Sequence, residues 1–148
     1  MFPARADNTF QGMKLPVHIF TMISIISIVR SCIHIFAPDG GAASIAGMDL
    51  SVAGADGIIF AFALWGSSQL LYAVIQLTVA FRYRSLVPFM YVLLILETIL
   101  RMLIGYMKPV SFAHTPPGAI GNYVILPLAV LMLALSFCVA QKNDADIH

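Results

Sequence analysis

Apolar residues in this chain fall into four long runs, and the few polar residues inside those runs recur at helical spacing. The third run, residues 86–107 (LVPFMYVLLILETILRMLIGYM), organises the rest. It is long enough to cross a bilayer, which takes about 20 residues per span. Near its middle a carboxylate, Glu97, precedes a guanidinium, Arg101, by one helical turn, the better order for an ion pair along a helix. A charge at that depth costs on the order of 2.5–3.5 kcal/mol on insertion scales, so both groups are expected to face a bundle interior.

The first run spans residues 15–36. Thr21, Ser24, Ser27, Ser31 and His34 follow each other at steps of 3, 3, 4 and 3, with Arg30 beside them, so they share one helical face opposite Ile23, Ile26 and Ile33. Such a polar stripe should face other helices, its hydroxyls bonding across or back to the backbone. A basic segment before an apolar run also begins a signal peptide. Here Arg30 and His34 interrupt the run and no clean A-x-A site follows, so it reads as a retained span.

The second run, residues 57–81, carries Trp65, Gln69, Tyr72 and Gln76 at steps of 4, 3 and 4, with Ser68 adjacent and small residues such as Gly66 for close helix approach. The turn Arg82, Tyr83, Arg84, Ser85 joins it to span three. The fourth run, residues 122–140, has Pro127 one turn in and almost no polar interior; the tail from 141 onward is polar. Residues 39–56 form a loop of Gly, Ala, Ser and three aspartates, and residues 108–121 a Pro/Gly loop. The expected fold is therefore all-α: one integral-membrane four-helix bundle.

Composition agrees. The chain of 148 residues is 60% hydrophobic and 10% charged, where a soluble domain carries about 25% charged residues. A formal net charge of +1 leaves no basic face for nucleic acid. Two cysteines make no disulfide framework, and no zinc spacing, P-loop or dinucleotide fingerprint is present, so neither metal nor cofactor is expected.

Lys and Arg set the orientation. Arg5 and Lys14 precede span one, Arg82 and Arg84 lie between spans two and three, and Lys142 follows span four, whereas the first loop has no Lys or Arg and the third connection only Lys108. Both termini should be cytoplasmic. At about 1.5 Å of rise per residue, Arg30 and Arg101 then both lie roughly 22 Å up from the cytoplasmic side and Glu97 about 16 Å, with Ser68 and Gln69 within a turn of it. Arg30, Glu97 and Arg101 are expected to meet between spans one and three, roofed by His34, with Asp39 at the outer mouth. The excess positive charge wants a carboxylate, a phosphate or a loop aspartate. His18 and His34, about 24 Å apart by helical rise, cannot share a metal or heme.

Several segments resemble the small four-span bacterial membrane proteins of the DoxX-like families, in particular a domain-of-unknown-function relative. These are the end of span one from His34 to Gly41, Leu64-Trp65-Gly66 and Gln69-Leu70-Leu71 in span two, the turn from Arg82 to Pro88, and Glu97 with Arg101. The resemblance covers most of residues 15–140. It implies a four-helix membrane fold and no agreed activity. No clear match to a glutathione-handling membrane-enzyme motif or a small multidrug-transporter pattern is present.

Three functions compete. The first is an accessory or assembly subunit of a bacterial inner-membrane complex, in which the Arg/Glu cluster pins helices. The second binds, or helps to move, a small anionic or amphipathic ligand through an outer-facing polar pocket of Arg30, His34, Glu97, Arg101, Ser68, Gln69, Trp65 and Asp39. Transport with four spans would require a homo-oligomer. The third is a membrane enzyme using Glu97 or His34 as acid or base, although nothing supplies a nucleophile beside them. In all three the lipid bilayer is the constant partner.

Reporter fusions at Lys14, Ser44, Arg84, Thr115 and His148 are expected to alternate in, out, in, out, in. A fusion at Ser44 that reports cytoplasm would reverse the assignment.

Overall fold

The computed structural model describes Pro3 and residues 5–138. The polar tail, its Lys142 and the last two residues of span four fall outside that range. Four helices follow one another: α1 (Lys14–Phe36), α2 (Ala55–Arg82), α3 (Val87–Met107) and α4 (Pro117–Phe137), with a 3-10 turn (Arg84–Leu86) between α2 and α3. Each is long and apolar enough to cross a membrane. In hydrocarbon every backbone N–H and C=O must be satisfied within its own segment, which is why such runs form helices.

The helix limits follow local chemistry. α1 stops at Ala37, which takes extended backbone because Pro38 follows it. α2 starts after Gly54, whose φ of 88° is left-handed, and carries Asp56 in its first turn and Arg82 in its last, each complementing the helix dipole. α4 begins five residues before the expected start at 122, at Pro117. The Pro-Pro-Gly sequence reads as loop, yet a proline fits the first helical position, where its missing N–H has no intrahelical partner to lose.

The helices form two antiparallel hairpins. α1 packs along α2, and α3 along α4, each more extensively than any helix packs across to the other hairpin. The α1–α2 pairing rests on Gly66: a Cβ there would lie 2.7 Å from the Cβ of His34 and 3.1 Å from the carbonyl oxygen of Ser31. On α1 the hydroxyls of Thr21, Ser24 and Ser31 bond back to Val17, Phe20 and Ser27 carbonyls, so these three are satisfied within their own helix and leave its surface free for close packing.

The buried apolar core lies in only one half of the bundle. Phe20, Val79, Met90, Tyr91 and Met132 belong to it, and all come from the half nearer the N-terminal segment. Tyr91 packs its ring 5.6 Å from that of Phe20 and donates its hydroxyl to the carbonyl oxygen of Pro16 at 2.7 Å, welding α3 to α1. The segment before α1 straps this end: Ser85 donates Oγ to Asp7 O at 2.9 Å and its own N–H at 3.2 Å, and accepts the Asp7 N–H at 3.0 Å. At the opposite end the two loops are tied to each other by the Ala113 N–H on Gly47 O, at 2.8 Å, and by His114 on Ile45 O. The outward faces carry large apolar side chains such as Phe36, Phe60, Leu71 and Leu100, as a lipid-facing surface requires.

Cys32, on α1 near the loop end, and Cys138, just past the last residue of α4, are both free thiols. Gly66→Leu is expected to destabilise by about 1–3 kcal/mol, the usual cost of overpacking, and to loosen the first hairpin. Gly105 faces open space, so Gly105→Ala should be neutral or slightly stabilising. Thermal melts of both variants in mild detergent test the contrast; equal behaviour would remove Gly66 from the role given to it.

Candidate functional site

Where the core ends, the hairpins diverge around a cavity of about 330 Å³. Every helix changes role along its length. α1 supplies Phe20 to the core and Arg30 to the cavity; α2 supplies Val79 and then Gln69, Tyr72 and Gln76; α3 supplies Tyr91 and then Glu97, Thr98 and Arg101; α4 supplies Met132 and then Asn122. The sequence places Arg30, Glu97, Arg101 and Gln69 at one depth, and all four line this cavity.

Their bonds stay inside each hairpin. Arg30 donates Nη2–H to Gln69 Oε1 at 2.8 Å and holds its guanidinium carbon 5.5 Å from the centre of the Trp65 ring. A cation over an indole face is stabilised by the ring quadrupole, more so where water is scarce. Arg101 pairs with Glu97 one turn before it on α3 and reaches Asn122 Oδ1 of α4 at 3.4 Å. Among the described residues no ion pair or hydrogen bond joins Arg30 to Glu97. The charges therefore share a cavity without stapling spans one and three together.

Two buried polar atoms on residues that line the cavity lack a hydrogen-bond partner: Nε of Arg30, a donor, and Oε1 of Gln76, an acceptor. Gln76 is only 2% exposed. A buried unsatisfied group costs about 1–3 kcal/mol, so each orphan calls for a partner. Thr98 is not a third, since its hydroxyl bonds back to the Leu94 carbonyl at 2.7 Å. Two guanidiniums face one carboxylate, which leaves the lining one positive charge in excess. α4 also begins at the cavity's edge, with Pro117 and Gly118 and no side chain capping its N-terminus, so its dipole adds to the positive potential.

His34 does not roof the charges; the ring beside them is Trp65, and it covers Arg30 alone. His34 is buried with its ring 4.9 Å from Trp65 and 5.6 Å from Phe62, and its Nδ1–H donates to Gly40 O at 2.7 Å. The close approach at Gly66 draws His34 onto α2, and the turn after α1 supplies its acceptor, so the imidazole serves the loop.

Asp39 is likewise absorbed by the loop. Its carboxylate accepts N–H bonds from Gly41 at 2.9 Å, Ala43 at 3.1 Å and Ser44 at 2.7 Å. The Ser44 N–H, then that of Gly41, holds its carboxyl well below the ordinary range, at about 2. It does not neutralise the cavity. Ser68 is exposed on α2 and directs its hydroxyl to its own helix at Leu64 O, outside the cavity.

Asn122 and Gln76 are the residues that sequence reasoning left out of the site. Gln76 shares a helical face with Gln69 and Tyr72, a spacing the sequence shows, whereas the only signal for Asn122 is a lone amide opening an apolar run. Among the described residues no three His, Cys, Asp or Glu side chains gather to hold a metal ion. Comparison with known proteins finds no matching family model, no matching curated protein and no matching solved structure.

The depressed Asp39 carboxyl fixes a pH dependence. An unfolded aspartate titrates near 3.8, so the brace stabilises fully above about pH 4 and is lost as pH falls through the folded value of about 2. Asp39→Ala should melt below wild type at neutral pH, and the two should converge towards pH 2. A gap that persists at the acid end would mean that the carboxylate is not what braces the loop.

Proposed function

We propose that this chain is a non-catalytic multi-pass protein of a bacterial inner membrane, its termini cytoplasmic, that binds a small anionic or amphipathic ligand in the cavity between its two hairpins. The observation that supports this reading is the unpaired Nε of Arg30 in a lining with two guanidiniums and one carboxylate. A cluster built only to pin helices would cross the hairpins, whereas these bonds run within them and leave the space between open. The placement near the DoxX-like families remains part of the same proposal and adds no activity to it.

The accessory-subunit reading keeps one observation of its own. Ala61 and Ser68, seven residues apart on α2, are both exposed and put two small residues on a lipid-facing stripe where a partner helix can approach closely.

Purification in mild detergent followed by native mass spectrometry separates the two. The ligand-binding reading expects wild type to retain an anion, Arg30→Gln to lose it, and Glu97→Gln, which raises the cavity charge, to retain it. Ligand-free wild type carrying a stoichiometric foreign subunit would transfer the function to the second reading.

A further inference from the structure

The cavity has a particular shape and a particular set of unmet bonds. Along α2 it runs from Gln69 to Gln76, about 10 Å at helical rise. Arg30 and Arg101 stand towards its loop end, Gln76 lies deeper, and Ile23, Ile26, Leu94 and Ile125 complete the walls. At about 330 Å³ it sits at the small end of ligand pockets, which run from about 300 to 1,000 Å³. It holds a headgroup and a few carbons, not a pair of acyl chains. Ile26 lines the cavity and is also 63% exposed, so on the α1 side the wall gives onto the lipid-facing surface. Over the loop end, by contrast, the two loops are hydrogen-bonded to one another.

The unmet bonds are of opposite kind. Arg30 Nε–H needs an acceptor, and the excess positive charge makes an anionic oxygen the fitting one. Gln76 Oε1 needs a donor, which a fully ionised, acceptor-only anion does not have. Resting on the ligand-binding reading above, we infer that the cavity takes the headgroup of an amphiphile entering sideways from the bilayer, a headgroup that combines an anionic oxygen for Arg30 with an O–H or N–H for Gln76, its apolar chain leaving past Ile26. A singly protonated phosphate monoester has this chemistry, whether it belongs to a single-chain amphiphile or to a bilayer phospholipid.

Trp65, the chain's only tryptophan, lies under the Arg30 guanidinium and reports on the site by fluorescence. The full chain in dodecyl maltoside is titrated at about pH 5, below the second phosphate ionisation near 6, with dodecyl phosphate, methyl dodecyl phosphate, dilauroyl phosphatidic acid and inorganic phosphate. Dodecyl phosphate is expected to give a saturable change in Trp65 emission. Its methyl diester, which keeps the charge and loses the O–H, should bind about tenfold more weakly. Inorganic phosphate in large excess should do nothing. Saturable binding of phosphatidic acid in preference to dodecyl phosphate would assign the headgroup to a bilayer lipid; the reverse assigns a single-chain amphiphile. Gln76→Met, close in length, should erase the difference between monoester and diester, and the diester signal in that variant shows that the site still forms.

Inorganic phosphate binding as well as dodecyl phosphate would overturn entry from the bilayer while leaving an anion site. Equal binding of monoester and diester by wild type would overturn the role of Gln76. If no phosphate compound moves Trp65 in folded wild type, the headgroup inference falls, while the ligand-binding reading is decided separately by whether wild type retains an anion in native mass spectrometry.

Discussion

A guanidinium in the interior of a four-helix membrane bundle cannot be left to lipid, and the first half of this fold is arranged around that constraint. Arg30 reaches Gln69 and the face of Trp65 only because α1 and α2 lie close together. They lie close because Gly66 has no side chain opposite His34 and Ser31. His34, pressed against α2, needs an acceptor for its Nδ1–H, and the turn after α1 provides Gly40 O. Asp39 then holds that turn through three backbone N–H groups. One half-buried cation thus connects a glycine, a histidine and an aspartate.

The second hairpin meets the same constraint in a different way. Arg101 takes its carboxylate from its own helix and an amide from α4, so it asks nothing of the first hairpin. The two hairpins are held to each other chiefly in the other half, by Phe20, Tyr91 and the Tyr91 hydroxyl on Pro16. Side-chain volume makes the division. Aromatic and branched residues fill the space between helices at the core end, while small residues of α4, Gly118 and Gly121, leave space at the cavity end.

Much of this was legible in the sequence. Long, predominantly apolar runs place the helices to within about five residues, since hydrocarbon allows a chain little else. Helical rise placed Arg30, Gln69, Glu97 and Arg101 at one level, and they line one cavity. Rise gives depth, however, and says little about rotation or about which helices touch. That is why Arg30 bonds to α2 where a bond to α3 was expected, and why Trp65 stands where His34 was placed. Asp39 was misread for another reason: a loop aspartate looks available until the backbone N–H groups that surround it are known. Pro117 was misplaced because one dipeptide both ends loops and begins helices.

The distribution of charge bears on what the cavity is for. An ion pair that serves only stability can often be replaced by apolar residues of the same volume with no loss, so its presence in a membrane interior is weak support for a structural purpose. In this bundle the joining of the two hairpins is done elsewhere, by the Phe20–Tyr91 core and by the loop ties at the far end. Arg30 contributes to neither. It is stabilised on one side by Gln69 and Trp65, and its Nε is left without a partner on a residue that lines the same cavity as Gln76 with its unmet acceptor. A packed interior has no use for a donor and an acceptor that do not satisfy each other. They suit a space that receives a third group bearing both kinds of partner, and this is why the binding reading is preferred to the staple.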